Sequence, residues 1–130
     1  MRTIFLKFAL AAFGFVFLLV YPLSIIWPSG WAWHTGAPYG SDYFMMIVGI
    51  YATLGVFLIL ASRNPNANRS LIWFTVVSSV VHAAIMAVQS FGRGGNMDHM
   101  GHLVGDVPAL LLVAITLSAL TLMQDNTSKA

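Results

Sequence analysis

Cysteine and glutamate are both missing from this chain of 130 residues, and its acidic groups are four aspartates. Without cysteine there is no disulfide, no thiolate nucleophile and no cysteine-ligated zinc or iron–sulfur site. Without glutamate there is no paired-Glu centre. Charge of either sign is scarce, at 8% of side chains, where soluble domains carry about 25%. So few charges cannot cover a water-soluble globule of this length, and disorder needs the opposite composition. There is no Gly-rich loop followed by Lys-Ser/Thr, no H-E-x-x-H, and no Ser-His-Asp set with a nucleophile elbow. A pI near 9.3 does not point to nucleic acid either, because the six basic residues are scattered among apolar runs rather than clustered.

What is present is hydrophobicity: 58% of residues, with a mean hydropathy of +0.82. That composition reads as an integral membrane protein with one transmembrane domain over residues 1–130. A helix needs about 20 apolar residues to cross the hydrocarbon core. Four stretches reach that length, at about residues 4–27, 43–62, 71–91 and 103–123. Trp27-Pro28-Ser29-Gly30 ends the first, Ser41-Asp42 offers an N-cap to the second, and Arg63-Asn64-Pro65-Asn66 and the Gly92–Gly95 run are breakers. The first stretch has no A-x-A-like site after it and is read as a retained helix rather than a signal peptide. The expected fold is all-α, an integral membrane four-helix bundle.

The Lys/Arg distribution orients it. Four spans put Arg2, Lys7, Arg63, Arg69 and Lys129 on one side and Arg93 alone on the other, so both termini are expected in the cytoplasm. Trp27, Trp31, Trp33, Tyr39 and Tyr43 crowd the first outer loop as an interfacial belt would.

Polar residues are distributed unevenly. All four histidines (His34, His82, His99, His102) and Asp42, Asp98 and Asp106 fall on the outer side or in the outer half. Polar groups inside a bilayer usually face the bundle interior and mark function. At 1.5 Å per residue, His82 lies roughly 13 Å below the outer end of the third helix and Asp106 roughly 10 Å below His99. Tyr51 reaches a similar depth, so Tyr51, His82 and Asp106 are expected in one polar layer, with His102 a turn above. His99, His102 and Asp106, spaced i, i+3, i+7, share one helical stripe.

Two site chemistries suit that layer. One is a small-molecule pocket formed by His82, Asp106, Tyr51 and His102. The other is a metal site of His82, His99, His102 and Asp106, taking copper, iron or zinc, with Met97 and Met100 supplying thioethers that suit copper. Plainer readings stand beside them: Asp98 as a helix cap, His34 as an interfacial side chain, the methionines as packing. For His82 and Asp106 the plain reading is an interhelical hydrogen bond tying the third helix to the fourth. Pro108 leaves the carbonyl of Val104 without its helical donor in the same neighbourhood. Ser78, Ser79 and Gln89 are candidates to extend the polar lining. The ladder Gly101-x3-Gly105-x3-Ala109 is read as a close-packing face.

The third-span segment His82-Ala83-Ala84-Ile85-Met86 and the segment His102-Leu103-Val104-Gly105-Asp106-Val107-Pro108 resemble the DoxX/BphX-like group of small bacterial four-helix membrane proteins. The resemblance implies the same four-helix fold, the inner membrane of a bacterium, and a redox-associated accessory role beside an oxidoreductase subunit, with a quinone among the cofactors to consider. The expected function is therefore a non-catalytic accessory or small-molecule-binding membrane subunit with its polar site toward the periplasmic side. The alternative is a metal-dependent membrane oxidoreductase or metal-binding protein using the same residues. The partners in view are the lipid bilayer, an oxidoreductase subunit or further copies of the chain, and no nucleic acid.

Overall fold

The computed structural model describes residues 2–27, 40–92 and 101–128, and the described residues are helical with no strand among them. The helices are α1 (Arg2–Leu18), α2 (Val20–Ile26), α3 (Asp42–Ala61), α4 (Arg69–Gly92), α5 (Gly101–Val104) and α6 (Asp106–Ser128), with a 3-10 turn at Pro65–Asn68 between α3 and α4. Local chemistry accounts for the boundaries. The Ser41 hydroxyl accepts the Phe44 amide at 3.2 Å and opens α3. Asn64 accepts the Ala67 amide and, with Pro65, sets the 3-10 turn.

Three helical segments are long and apolar enough to cross a membrane: Asp42–Ala61, Pro65–Phe91 and His102–Gln124. The first expected span is different. It is two helices, bent by 59° at Leu19, and it makes a fourth crossing only if the pair counts as one span. Pro22 is the cause. It has no N–H to give the Leu18 carbonyl, and its ring crowds that carbonyl. The chain closes the turn with a Leu19 amide bond back to Val16 at 2.9 Å and resumes as α2. Pro108 acts in the same way on Val104, so the last span is α5 and α6 joined through Gly105.

The helices pack in two close pairs, α1 with α3 and α4 with α6, joined mainly along α1 and α6, while α3 and α4 barely touch beyond their connection. Gln124 near the end of α6 donates to Asn66 in the 3-10 turn at 2.8 Å, which sets the end of α6 beside that turn. At this end all four long helices share a core of Leu6, Leu10, Leu58, Ile72 and Leu117. A second cluster, Ala83, Met86, Val107 and Leu110, packs α4 on α6 farther along. Outside, Phe8, Ile50, Phe74 and Ile115 are more than 60% exposed. Of the apolar windows in the three long helices, only 22–39% is buried inside the protein. That much uncovered apolar surface suits hydrocarbon and not water.

The pairing of α1 with α3 depends on two glycines. A Cβ on Gly14 would stand 2.6 Å from the Gly55 carbonyl oxygen, and one on Gly55 would stand 2.5 Å from that of Gly14. The two backbones touch where no other residue fits. The ladder through Gly101, Gly105 and Ala109 is instead interrupted by the turn at Gly105. Gly14→Ala and Gly55→Ala are each expected to cost about 1–3 kcal/mol through overpacking. Gly49→Ala, whose added Cβ meets nothing within 4 Å, is expected to carry no such cost and to gain up to about 1 kcal/mol from helix propensity. Unfolding titrations of the three variants in mild detergent check this.

Candidate functional site

The cavity that gathers the polar residues measures about 170 Å³ and is lined from α1, α3, α4 and α6. Its walls are mostly apolar. Phe13, Val16 and Phe17 fall at i, i+3 and i+4 on α1 and Val20 adds to the wall from α2, while Phe44 and Ile47 line it from α3. Phe17 meets Tyr51 edge-on, with ring centroids 5.0 Å apart and planes at 68°. Three polar side chains interrupt this lining: Tyr51 from α3, His82 from α4 and Asp106 from α6.

These are the three residues expected at one depth, and the fold brings them to one cavity. Their hydrogen bonds differ from expectation. Tyr51 Oη and His82 Nδ1 are bonded at 3.1 Å across the α3–α4 seam. Asp106 Oδ2 is bonded to His102 Nδ1 at 3.1 Å, four residues back across the turn at Gly105. The interhelical bond expected between His82 and Asp106 is thus replaced by one bond within the α5–α6 segment and another between α3 and α4. The physical reason is proximity: a side chain at i+4 lies over the preceding turn, so His102 reaches the carboxylate without crossing between helices. Asp106 remains within electrostatic reach of Tyr51 and His82.

Burial makes the carboxylate the exceptional group. His102 is 3% exposed and Asp106 6%. Asp106 Oδ1 is fully buried and has no hydrogen-bond partner. Asp106 opens α6, where the helix dipole favours negative charge. Elsewhere the polar residues of the helices satisfy themselves locally: Thr75 donates to the Leu71 carbonyl, Ser90 to that of Met86 and Thr121 to that of Leu117. Ser78 and Ser79 line the α3–α4 seam beside His82, whereas Gln89 is exposed and extends no lining.

His99, the remaining metal-ligand candidate, lies outside the described residues, as do His34, Met97, Asp98 and Met100. Among the described residues no three His or Asp side chains stand close enough to hold a metal ion. The aromatic wall of Phe13, Phe17 and Phe44 was not singled out from sequence. Its signal was available in the spacing of Phe13 and Phe17 beside Val16 and Val20, but apolar spacing on a membrane helix marks packing as readily as a pocket.

Described residues that are helical throughout, with three helices long and apolar enough to cross a membrane, fit a membrane protein by class. Residues 3–128 match the model of a family of unknown function, DUF6632, and the chain belongs to that family. No curated protein and no solved structure matches it. The resemblance to the DoxX/BphX-like group is thereby corrected, since the family that matches nearly the whole chain is a different one. The two segments that carried the resemblance are short, and small and apolar residues around a histidine suit membrane helices generally.

Two variants probe the bonds of the site. His102→Leu removes the hydrogen-bonded partner of a buried carboxylate and is expected to cost about 1–3 kcal/mol. Combining it with Asp106→Leu is expected to recover part of that loss, so a double-mutant cycle read by unfolding gives a favourable coupling. Tyr51→Phe removes the bond to His82, and a loss of about 0.6 kcal/mol is expected, the average for interhelical hydrogen bonds in membranes.

Proposed function

We propose that this protein is a non-catalytic membrane protein that binds a small hydrophobic molecule with a polar head in the cavity between α1, α3, α4 and α6. One observation carries the reading: an otherwise apolar, aromatic-walled cavity holds Tyr51, His82 and Asp106 together. A few convergent polar groups in an apolar cavity are the usual arrangement of a small-molecule site. A purely structural clamp would need no cavity beside it.

In this proposal the bent α1–α2 pair counts as one span, which makes four, and both termini face the cytoplasm as the Lys/Arg distribution requires. The polar cluster then lies toward the outer side, and the bilayer is the source of the ligand. The inner membrane of a bacterium stays part of the proposal without the resemblance that suggested it. The oxidoreductase partner rested on the DoxX/BphX resemblance and is not carried further.

The test is to purify the protein in mild detergent, extract it with organic solvent and identify bound small molecules by mass spectrometry. Ala109 lines the cavity and is half-buried, so Ala109→Phe serves as the filled-cavity control. We expect a near-stoichiometric apolar compound in the wild type and its loss in the variant, with the melting temperature retained. Equal content in both, or none in the wild type, overturns the reading. Topology is checked separately by adding single cysteines to this cysteine-free chain. Gly40→Cys is expected to react with an impermeant maleimide from outside intact cells, and Asn66→Cys only after permeabilisation.

A further inference from the structure

We propose that a second site lies in the α3–α4 seam, where the Ser79 hydroxyl holds ordered water beside the Tyr51–His82 pair. The site is distinct from the aromatic-walled cavity and takes a different guest.

Ser79 is the exception among the buried hydroxyls. Ser24, Thr75, Ser79, Ser90 and Thr121 are each at most 4% exposed. Four of them donate to a carbonyl three or four residues back: Ser24 to Tyr21, Thr75 to Leu71, Ser90 to Met86 and Thr121 to Leu117. The Ser79 hydroxyl makes no such bond among the described residues. Its neighbour is the cause. The residue four back is Thr75, and the Thr75 carbonyl already accepts the Ser78 hydroxyl at 3.2 Å. Unlike Asp106 Oδ1, the Ser79 oxygen is not sealed off by the atoms around it.

The seam gives that hydroxyl a space. The two helices barely touch beyond their connection, and between them lies a pocket of about 160 Å³. Ser78, Ser79, Tyr51 and His82 line it, with Ile50 and Phe74 among its apolar walls. The aromatic-walled cavity shares Tyr51 and His82 with this pocket but not the serines. The hydrogen-bonded pair thus borders both spaces, and the seam adds hydroxyls to it.

Chemistry selects the guest. A pocket holds water when it has the volume and roughly two to four polar partners, whereas an apolar one stays dry. Liquid water takes about 30 Å³ per molecule, so the seam pocket has room for more than one. Ser79 offers a donor and lone pairs. Ser78 and Tyr51 each use one hydrogen bond, on Thr75 and His82, and each oxygen keeps further capacity. An acyl chain entering the seam supplies none of these bonds and leaves the hydroxyl unpaired. Water supplies donors and acceptors together, and it fits whichever of Tyr51 and His82 carries the shared proton. It also links α3 to α4 where the helices themselves make little contact.

The full chain in perdeuterated-lipid bilayers is studied by water-edited solid-state NMR, which reads the rate of magnetisation transfer from water to each carbon. Depth alone makes Ser79 the driest of the three, because it lies near the middle of the Pro65–Phe91 span with Thr75 and Ser90 nearer its ends. We expect the reverse, with transfer to Ser79 at least about twofold faster than to Thr75 or Ser90. Leu54 lines the same pocket, and Ser79→Ala is expected to lower its methyl rate to that of Leu117 in the core. Ser90→Ala removes a hydroxyl that is bonded locally and is expected to leave Leu54 unchanged. Any wild-type order that does not put Ser79 first overturns the site. A Leu54 rate that Ser79→Ala leaves unchanged overturns it too. If Ser79→Ala does not fold, the wild-type order decides. The cavity reading is tested apart from this, by the extraction experiment.

Discussion

Hydrocarbon offers no hydrogen bonds, so every polar group that this chain carries into the bilayer must find its partner within the protein. That constraint explains why the described residues are helical throughout. It also explains why hydroxyl after hydroxyl, from Ser24 on α2 to Thr121 on α6, bonds a carbonyl three or four residues back in its own helix. The same requirement governs the breaks. Pro22 and Pro108 each withdraw a donor from the helix, and at each the backbone bends or restarts rather than running on with a straight ladder.

Against that background the Asp106 carboxylate stands apart. One oxygen is matched by His102 and the other is not, although the residue is almost fully buried. Unpaired buried acceptors are uncommon in native proteins and call for a reason. The same residue lines the cavity beside Tyr51 and His82. The two halves of the molecule divide the work. Near the 3-10 turn, four helices close on Leu10, Leu58, Ile72 and Leu117. In the other half the cavity lies among the helices, with the polar cluster in its wall. The glycine contact at Gly14 and Gly55 lets α1 and α3 approach closely without bulk, and the bend after Leu18 swings α2 away from the line of α1.

Helix positions were legible because apolar runs of the right length are interrupted by strong punctuation at Ser41-Asp42, Asn64-Pro65 and Gly92. The bend at Leu19 was not read, although Pro22 was in plain view, because a long apolar run outweighs a single proline when length is the criterion. The shared depth of Tyr51, His82 and Asp106 followed from helical rise alone. Their bonds did not, because depth says nothing of rotamer, although the spacing already put His102 and Asp106 on one helical stripe. Gly14 and Gly55 left no signature. Each is an isolated glycine in its own helix, and only the crossing of two backbones makes them a pair.

Membership of DUF6632 places the chain among relatives without transferring an activity, so the case for function stands on the physical chemistry of the cavity. Two features there pull in opposite directions. Apolar walls favour a molecule already dissolved in the bilayer, which competes with lipid on equal terms because hydrocarbon is as apolar as the site. Affinity therefore has to come from what hydrocarbon lacks, which is a hydrogen-bond partner. A few polar side chains among apolar walls offer that to a molecule with a matching group and not to its apolar analogue. The more completely Asp106 is removed from water, the more such a contact discriminates. On the binding reading proposed above, the burial that makes Asp106 costly to keep in the fold is also what would give it value in recognition.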